Sequence, residues 1–239
     1  MTAQKTAGDA AQLRVLTSNS MRAVMDELVP QFERASGHTV SLSYDPAKLM
    51  LIRIRGGETA DVAILGSSVI DELANEGRIA PETSVVLARC GIGMAVRAGA
   101  AKPDIGSVES FKRALLEAES IAYTIDGASG MHFAGLIERL GIAENLKSKA
   151  NRRSGGLIGE LVASGDAEIA IQQLPELMAV RGIDVVGPIP QALQKITVVS
   201  AGVFRDATEP HAARALLEFL STPASARVIK SKGLEPAGR

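Results

Sequence analysis

Apolar and polar positions fall into alternating blocks along the chain. Leu13 to Leu16 is a short apolar run that ends in the polar turn Thr17-Ser18-Asn19-Ser20, and Met21, Val24, Met25 and Leu28 then recur at helical spacing. This predicts a strand, a polar turn and a helix. The pattern repeats: Thr39 to Tyr44 alternates as a strand, Asp45-Pro46 offers a helix cap with proline in the first turn, and Leu49 and Ile52 carry that helix to Gly56-Gly57. Asp61 to Leu65 then precedes a helix over Ser68 to Glu76. Such alternation predicts a parallel sheet covered by helices on both faces.

From Val85 to Val96 the chain is apolar with Gly91 and Gly93 embedded, long for one strand but suited to a crossing between lobes. The alternation restarts with a helix over Ser107 to Ala118, a strand at Ile121 to Ile125, helices at Ser129 to Leu140 and Leu157 to Val162, and a strand at Glu168 to Ile171. Ile196 to Phe204 is a second apolar run suited to crossing back. Two helices close the chain, one with Pro210 in its first turn and one capped by Thr222 with Pro223 next. The expected architecture is α/β with two lobes, each a mixed or parallel sheet flanked by helices, and a ligand cleft between them. Residues 1–12 read as a flexible N-terminal extension, 13–91 and 196–239 as the first lobe, and 92–195 as the second.

Composition narrows the chemistry. The chain of 239 residues has a formal net charge of -1, is 3% aromatic and contains no Trp, so it lacks both the positive field and the stacking rings of a nucleic-acid groove. Cys90 is the single cysteine, which excludes an internal disulfide, and it lies in an apolar stretch that suits an inert core thiol. His38, His132 and His211 are widely separated, so no metal site is expected. No segment approaches the roughly 20 apolar residues needed to span a bilayer, so no membrane insertion is expected. Residues 1–12 hold no apolar run of signal-peptide length, which places the chain as written in the cytoplasm, or in the periplasm if a leader has been removed.

Candidate chemistry lies in the turns between strands and helices: Thr17-Ser18-Asn19-Ser20, Tyr44-Asp45-Pro46-Ala47-Lys48, Gly127-Ala128-Ser129-Gly130 and Ser154-Gly155-Gly156. Free N–H groups at helix starts carry partial positive charge, and several aimed at one cleft make an anion receptor.

The order of Leu13-Arg14-Val15-Leu16-Thr17-Ser18-Asn19-Ser20, Gly57-Glu58-Thr59-Ala60-Asp61-Val62, Leu87-Ala88-Arg89, Leu161-Val162-Ala163-Ser164-Gly165-Asp166-Ala167-Glu168 and Ala215-Leu216-Leu217-Glu218-Phe219-Leu220-Ser221 resembles the molybdate-binding-protein-like family of bacterial solute-binding proteins. The resemblance covers nearly the whole chain from Leu13 and implies a type 2 periplasmic-binding fold that closes on an oxyanion without metal or cofactor. It also implies a monomer that, if exported, serves a membrane permease of the ABC-transporter type. Its first serine falls on Ser20, and its second-lobe backbone donor near Ser129-Gly130. Where the family has a second serine this chain has Ala47 followed by Lys48, and Gln173 replaces the expected tyrosine.

These departures favour an organic di- or tricarboxylate over molybdate. The expected ligand set is Asn19, Ser20, Arg22, Lys48, Ser129, Gly130, Met131, His132, Gly156 and Gln173. The strings Gln172-Gln173-Leu174-Pro175-Glu176-Leu177, Gly187-Pro188-Ile189-Pro190 and Gly233-Leu234-Glu235-Pro236-Ala237 are similar to a subgroup in which aconitate isomerase falls. The alternative expectation is therefore an isomerase on the same scaffold, shifting a double bond in an unsaturated tricarboxylate, with His132 and Lys48 as its acid–base and charge-stabilising groups.

Overall fold

The computed structural model describes residues 10–238 and divides them between two sheets. In the first lobe β1 (Gln12–Thr17), α1 (Arg22–Ser36), β2 (Thr39–Tyr44), α2 (Ala47–Arg55), β3 (Val62–Gly66), α3 (Ser67–Asn75) and β4 (Val85–Cys90) follow in turn. The second lobe holds β5 (Ile92–Arg97), α4 (Val108–Glu117), β6 (Ile121–Thr124), α5 (Ala128–Arg139), α6 (Ala143–Leu146), β7 (Ala150–Arg153), α7 (Gly159–Ser164), β8 (Ile169–Gln173), α8 (Leu174–Met178) and β9 (Ile183–Pro188). The chain then returns with β10 (Thr197–Val203), α9 (Pro210–Leu220), α10 (Pro223–Ser231) and β11 (Glu235–Pro236). Among the described residues no helix is long and apolar enough to cross a membrane.

The first sheet runs β11-β4-β10-β3-β1-β2 and the second β7-β6-β8-β5-β9. Both are mixed. β1 pairs in parallel with β2 and β3, while β10 lies antiparallel to β3 and β4. In the second sheet β6 is parallel to β7 and β8, and β5 is antiparallel to β8 and β9.

Strand alternation produces a core on each face of each sheet. Leu13, Val15, Val62 and Ile64 face α1, α9 and α10, whereas Leu16, Ala63 and Leu65 face Met50, Ile54 and Ile70 of α2 and α3. The second sheet sends Ile92, Met94, Ile169 and Ile171 toward Phe111 and Phe133, and sends Ala95, Ala122 and Ala170 toward Ile158, Leu161 and Leu177. Small alanines on that second face let α7 and α8 lie close to the strands.

Several elements differ from the expectation. Residues 1–9 of the N-terminal extension lie outside the described residues, while Ala11 is buried and Gln12 already belongs to β1. The run Val85 to Val96 is two strands in different sheets, parted at Gly91. Ile196 to Phe204 is mostly β10, apolar because it is enclosed between β3 and β4; the return crossing occupies the residues just before it. The two crossings are tied together by Gln194, whose Oε1 accepts from the Ile92 N–H at 2.8 Å while its Nε2 donates to the Ile92 carbonyl at 2.9 Å.

Asp61 anchors the first lobe. Its carboxylate is buried and accepts from the Arg14 N–H at 2.8 Å, the Thr208 hydroxyl at 3.0 Å and the Glu209 N–H at 3.0 Å, joining β1, the start of β3 and the segment entering α9. Asp61→Asn replaces one acceptor with an amide donor, so an N–H loses its partner inside the fold. We expect urea unfolding to show a stability lower by about 2 kcal/mol.

Candidate functional site

The carboxyl ends of the parallel strands β1, β2, β3, β6, β7 and β8 all run into turns that line one interlobe cleft of about 520 Å³. This is where ligands bind in open α/β sheets. The first lobe contributes Ser18, Asn19 and Ser20 after β1, Pro46, Ala47 and Lys48 after β2, and Ser67 and Ser68 after β3. The second contributes Thr124, Gly127 and Ala128 after β6, Gly155 and Gly156 after β7, and Gln172, Gln173 and Glu176 around the end of β8. Lys195 and Thr197 enter from the return crossing.

Helices α2, α3 and α5 begin on this cleft, and none has a side-chain cap. By contrast, Ser107 caps α4 and Thr222 caps α10. Asp45, expected to cap α2, instead gives its carboxylate to Arg53, which also forks onto Glu58 at 2.6 and 2.7 Å and reaches the Ser43 hydroxyl at 2.9 Å. The guanidinium thereby braces the turn that presents Lys48 and leaves the α2 N–H groups to the cleft. Glu58, held by Arg53, keeps its proton affinity below the usual carboxylate range.

Side-chain hydrogen bonds fix much of the lining. Gln172 accepts from the Ile158 N–H at 2.8 Å and donates to the Gly156 carbonyl at 2.8 Å, so this buried amide shapes the Gly155-Gly156 turn. Gln173 donates to the Thr197 hydroxyl at 3.0 Å. Ser18 and Ser20 share a hydrogen bond at 2.9 Å, and Ser67 and Ser200 share one at 2.6 Å. The Thr124 hydroxyl is buried at the cleft wall without a protein partner among the described residues.

Across the cleft Lys48 Nζ donates to Asp126 at 2.8 Å, and Gly155 lies so close to Pro46 that a Cβ there would come within 2.7 Å of the proline ring. Helix α8 packs on the Asn19–Met21 turn and on α1, so the second lobe leans on the first at this point.

Of the residues expected from the sequence, Asn19, Ser20, Lys48, Met131, Gly156 and Gln173 stand on the cleft wall. Four others lie off it. Arg22 turns onto the Tyr44 ring, 3.9 Å from its centroid. Ser129 and Gly130 are buried in the first turn of α5, against β6. The His132 ring bonds to the Leu193 carbonyl at 2.9 Å, since one helical step past Met131 rotates it by about 100° away from the cleft.

The sequence reading missed Ser67, Ser68, Lys195 and Glu176. The turn after β3 follows the same strand-to-helix pattern as the turns after β1 and β2, and that repetition is the signal for its serines. Glu176 is buried among apolar groups, which pushes its carboxyl up to about 8, with the Gln173 backbone pulling part of the way back. Cys90 is buried as expected, and desolvation pushes its thiol up to about 12. Among the described residues no three His, Cys, Asp or Glu side chains gather as a metal site would require.

Two α/β lobes joined by paired crossings, with helix starts converging on the gap, define a solute-binding clamp. The chain belongs to the family of bacterial extracellular solute-binding proteins, which it matches over residues 13–235. It is 36% identical to an aconitate isomerase from Pseudomonas sp over 230 residues, covering 94% of this chain and 87% of that protein. It is 26% identical to the molybdate-binding protein ModA of Azotobacter vinelandii, covering 95% of this chain and 91% of that one. The periplasmic molybdate-binding protein of Azotobacter vinelandii superposes with a TM-score of 0.80 at 18% identity, over 95% of this chain and all of that one.

Proposed function

We propose that the cleft takes up an unsaturated di- or tricarboxylate of the aconitate type and shifts its double bond. The observation that carries this reading is the lining: Lys48 and Lys195 enter a cleft of about 520 Å³ together with three uncapped helix starts. Donors and cations in that number suit an anion bearing several carboxylates, whose desolvation must be repaid at each charge. A single tetrahedral oxyanion would leave most of that volume to water. Ala47 and Gln173 on the wall also depart from the hydroxyl donors of the molybdate pattern, and the similarity to an aconitate isomerase points the same way.

The chemistry asked of the site is an allylic shift. A proton leaves the methylene carbon beside one carboxylate, the double bond moves over, and a proton arrives two carbons away, with no net oxidation. Calorimetry with trans-aconitate, citrate and molybdate, followed by proton NMR of the trans-aconitate sample, tests the reading. We expect binding of the tricarboxylates and growth of the cis isomer. Tight molybdate binding with no tricarboxylate binding would overturn it. The family supports a second reading, a receptor that binds the same carboxylates and delivers them to an ABC permease; binding without isomer growth is its signature.

A further inference from the structure

We infer that Glu176 is the acid–base group of the cleft, the side chain that takes the proton from the ligand's methylene carbon and returns one at the other end of the allylic system. This rests on the isomerase reading above and assigns the residue that performs it.

Three ionisable side chains line the cleft among the described residues: Lys48, Lys195 and Glu176. Lys48 is occupied by Asp126 and Lys195 is exposed on the return crossing, so both are placed to meet carboxylates. His132, the residue its chemistry would suggest, faces the Leu193 carbonyl instead. Glu176 stands where α8 leans on the first lobe, buried on the cleft wall, and forms no ion pair with Lys or Arg among the described residues. A buried carboxyl without a cation is costly to keep, and it is cheaper as the neutral acid than as the anion.

That environment supplies what a carbon acid requires. Burial raises the carboxyl to about 8, making its anion a stronger base than an exposed glutamate while still populated near neutral pH. In the forward half, the methylene C–H bond breaks and an O–H bond forms on Glu176, with the electron pair spreading over the allylic system and its carboxylate. In the second half the O–H bond breaks and a C–H bond forms two carbons away. Charge and protons balance, and one carboxyl serves both halves. Lys48 and Lys195 are the cations that line the same cleft. Arg22 on α1 is turned onto Tyr44, and Cys90, which feels the Glu176 charge, carries a thiol raised to about 12.

The test follows deuterium uptake from D₂O into the trans-aconitate methylene by NMR. Glu176→Gln keeps the side chain's size and removes only the ionisable group, so its fold and its trans-aconitate affinity by calorimetry should survive. Its exchange rate should fall by roughly 10²-fold or more. A folded, ligand-binding Glu176→Gln protein that exchanges at the wild-type rate overturns the inference and leaves the isomerase reading standing. Wild-type protein that binds trans-aconitate without exchange or isomer growth overturns both.

The wild-type pH profile gives a reading that no folding defect can confound. Exchange needs the ionised carboxyl, so its rate should rise with pH and level off near 8. Glu176→Asp should retain that rise at a lower rate, because the shorter side chain withdraws the carboxyl by one methylene. A flat wild-type profile over this range overturns the assignment.

Discussion

Gly130→Ala is expected to lower the stability of the protein by at least ~3 kcal/mol, which for a chain of this size moves the melting temperature down by roughly 6–12 °C. A Cβ at this position would fall onto the backbone carbonyl of Thr124, with the Thr124 hydroxyl also within reach. A backbone atom at the end of a central strand cannot swing aside as the tip of a long side chain can, so α5 would have to lift off β6. That displacement would also carry Gly127 and Ala128 out of the cleft wall, coupling lost stability to lost ligand binding. Gly135→Ala, in the same helix, is the internal control. There the added Cβ meets only the flexible end of Arg139 at 3.4 Å, and exchanging glycine for alanine inside a helix should be neutral or stabilising by up to about 1 kcal/mol. Equal melting temperatures for Gly130→Ala and wild type would contradict the close seating of α5 on β6.

Lys48→Ala is expected to weaken trans-aconitate binding by roughly 10- to 150-fold, the range for a lost charged hydrogen bond of ~1.5–3 kcal/mol. The lysine sits on the first turn of α2 at the cleft wall, where the helix start and the ammonium act on the same anion. Its present partner, Asp126, is a weak competitor, because the lysine end of that pair is more than half exposed and such pairs contribute ~0.2–1 kcal/mol. Asp126→Asn should therefore change affinity by no more than about fivefold, so calorimetry on the two variants separates a ligand-binding lysine from one that merely links the lobes. Unchanged affinity in Lys48→Ala removes it from the site.

The central strands β1 and β3 were legible because both of their faces are covered, so the apolar runs at Leu13 to Leu16 and Asp61 to Leu65 stand out with polar turns behind them, whereas the edge strand β2 was legible from the alternation of polar and apolar residues over Thr39 to Tyr44. The edge strands of the second sheet were not. β7 reads Ala-Asn-Arg-Arg and lies at the rim of its sheet, where a strand has one neighbour and polar side chains remain in solvent. β9 occupies the opposite rim and carries Gly187-Pro188, which reads as a turn.

The site divides in the same way. Positions set by backbone direction, such as Ser20, Lys48 and Gly156, follow from where each strand ends. His132 and Met131 are neighbours whose directions differ by one helical step, and the sequence alone does not say which of them looks into the gap. Glu176 stands in the sequence only within the string Gln172-Gln173-Leu174-Pro175-Glu176-Leu177, with nothing beside it to mark a buried carboxyl. Its burial depends on α8 meeting a turn more than 150 residues earlier in the chain, a contact that no local pattern encodes.

The Gln194 clamp on Ile92 bears on how the protein captures its ligand. With the outgoing and returning segments stapled side by side, the lobes have one shared axle, as a door has, and their separate twisting and sliding are suppressed. A clamp confined to a single swing loses little freedom when it shuts, so less of the ligand's interaction energy goes into ordering the protein. Changes of preferred solute can then be written into the facing walls, while the axle and the swing stay the same.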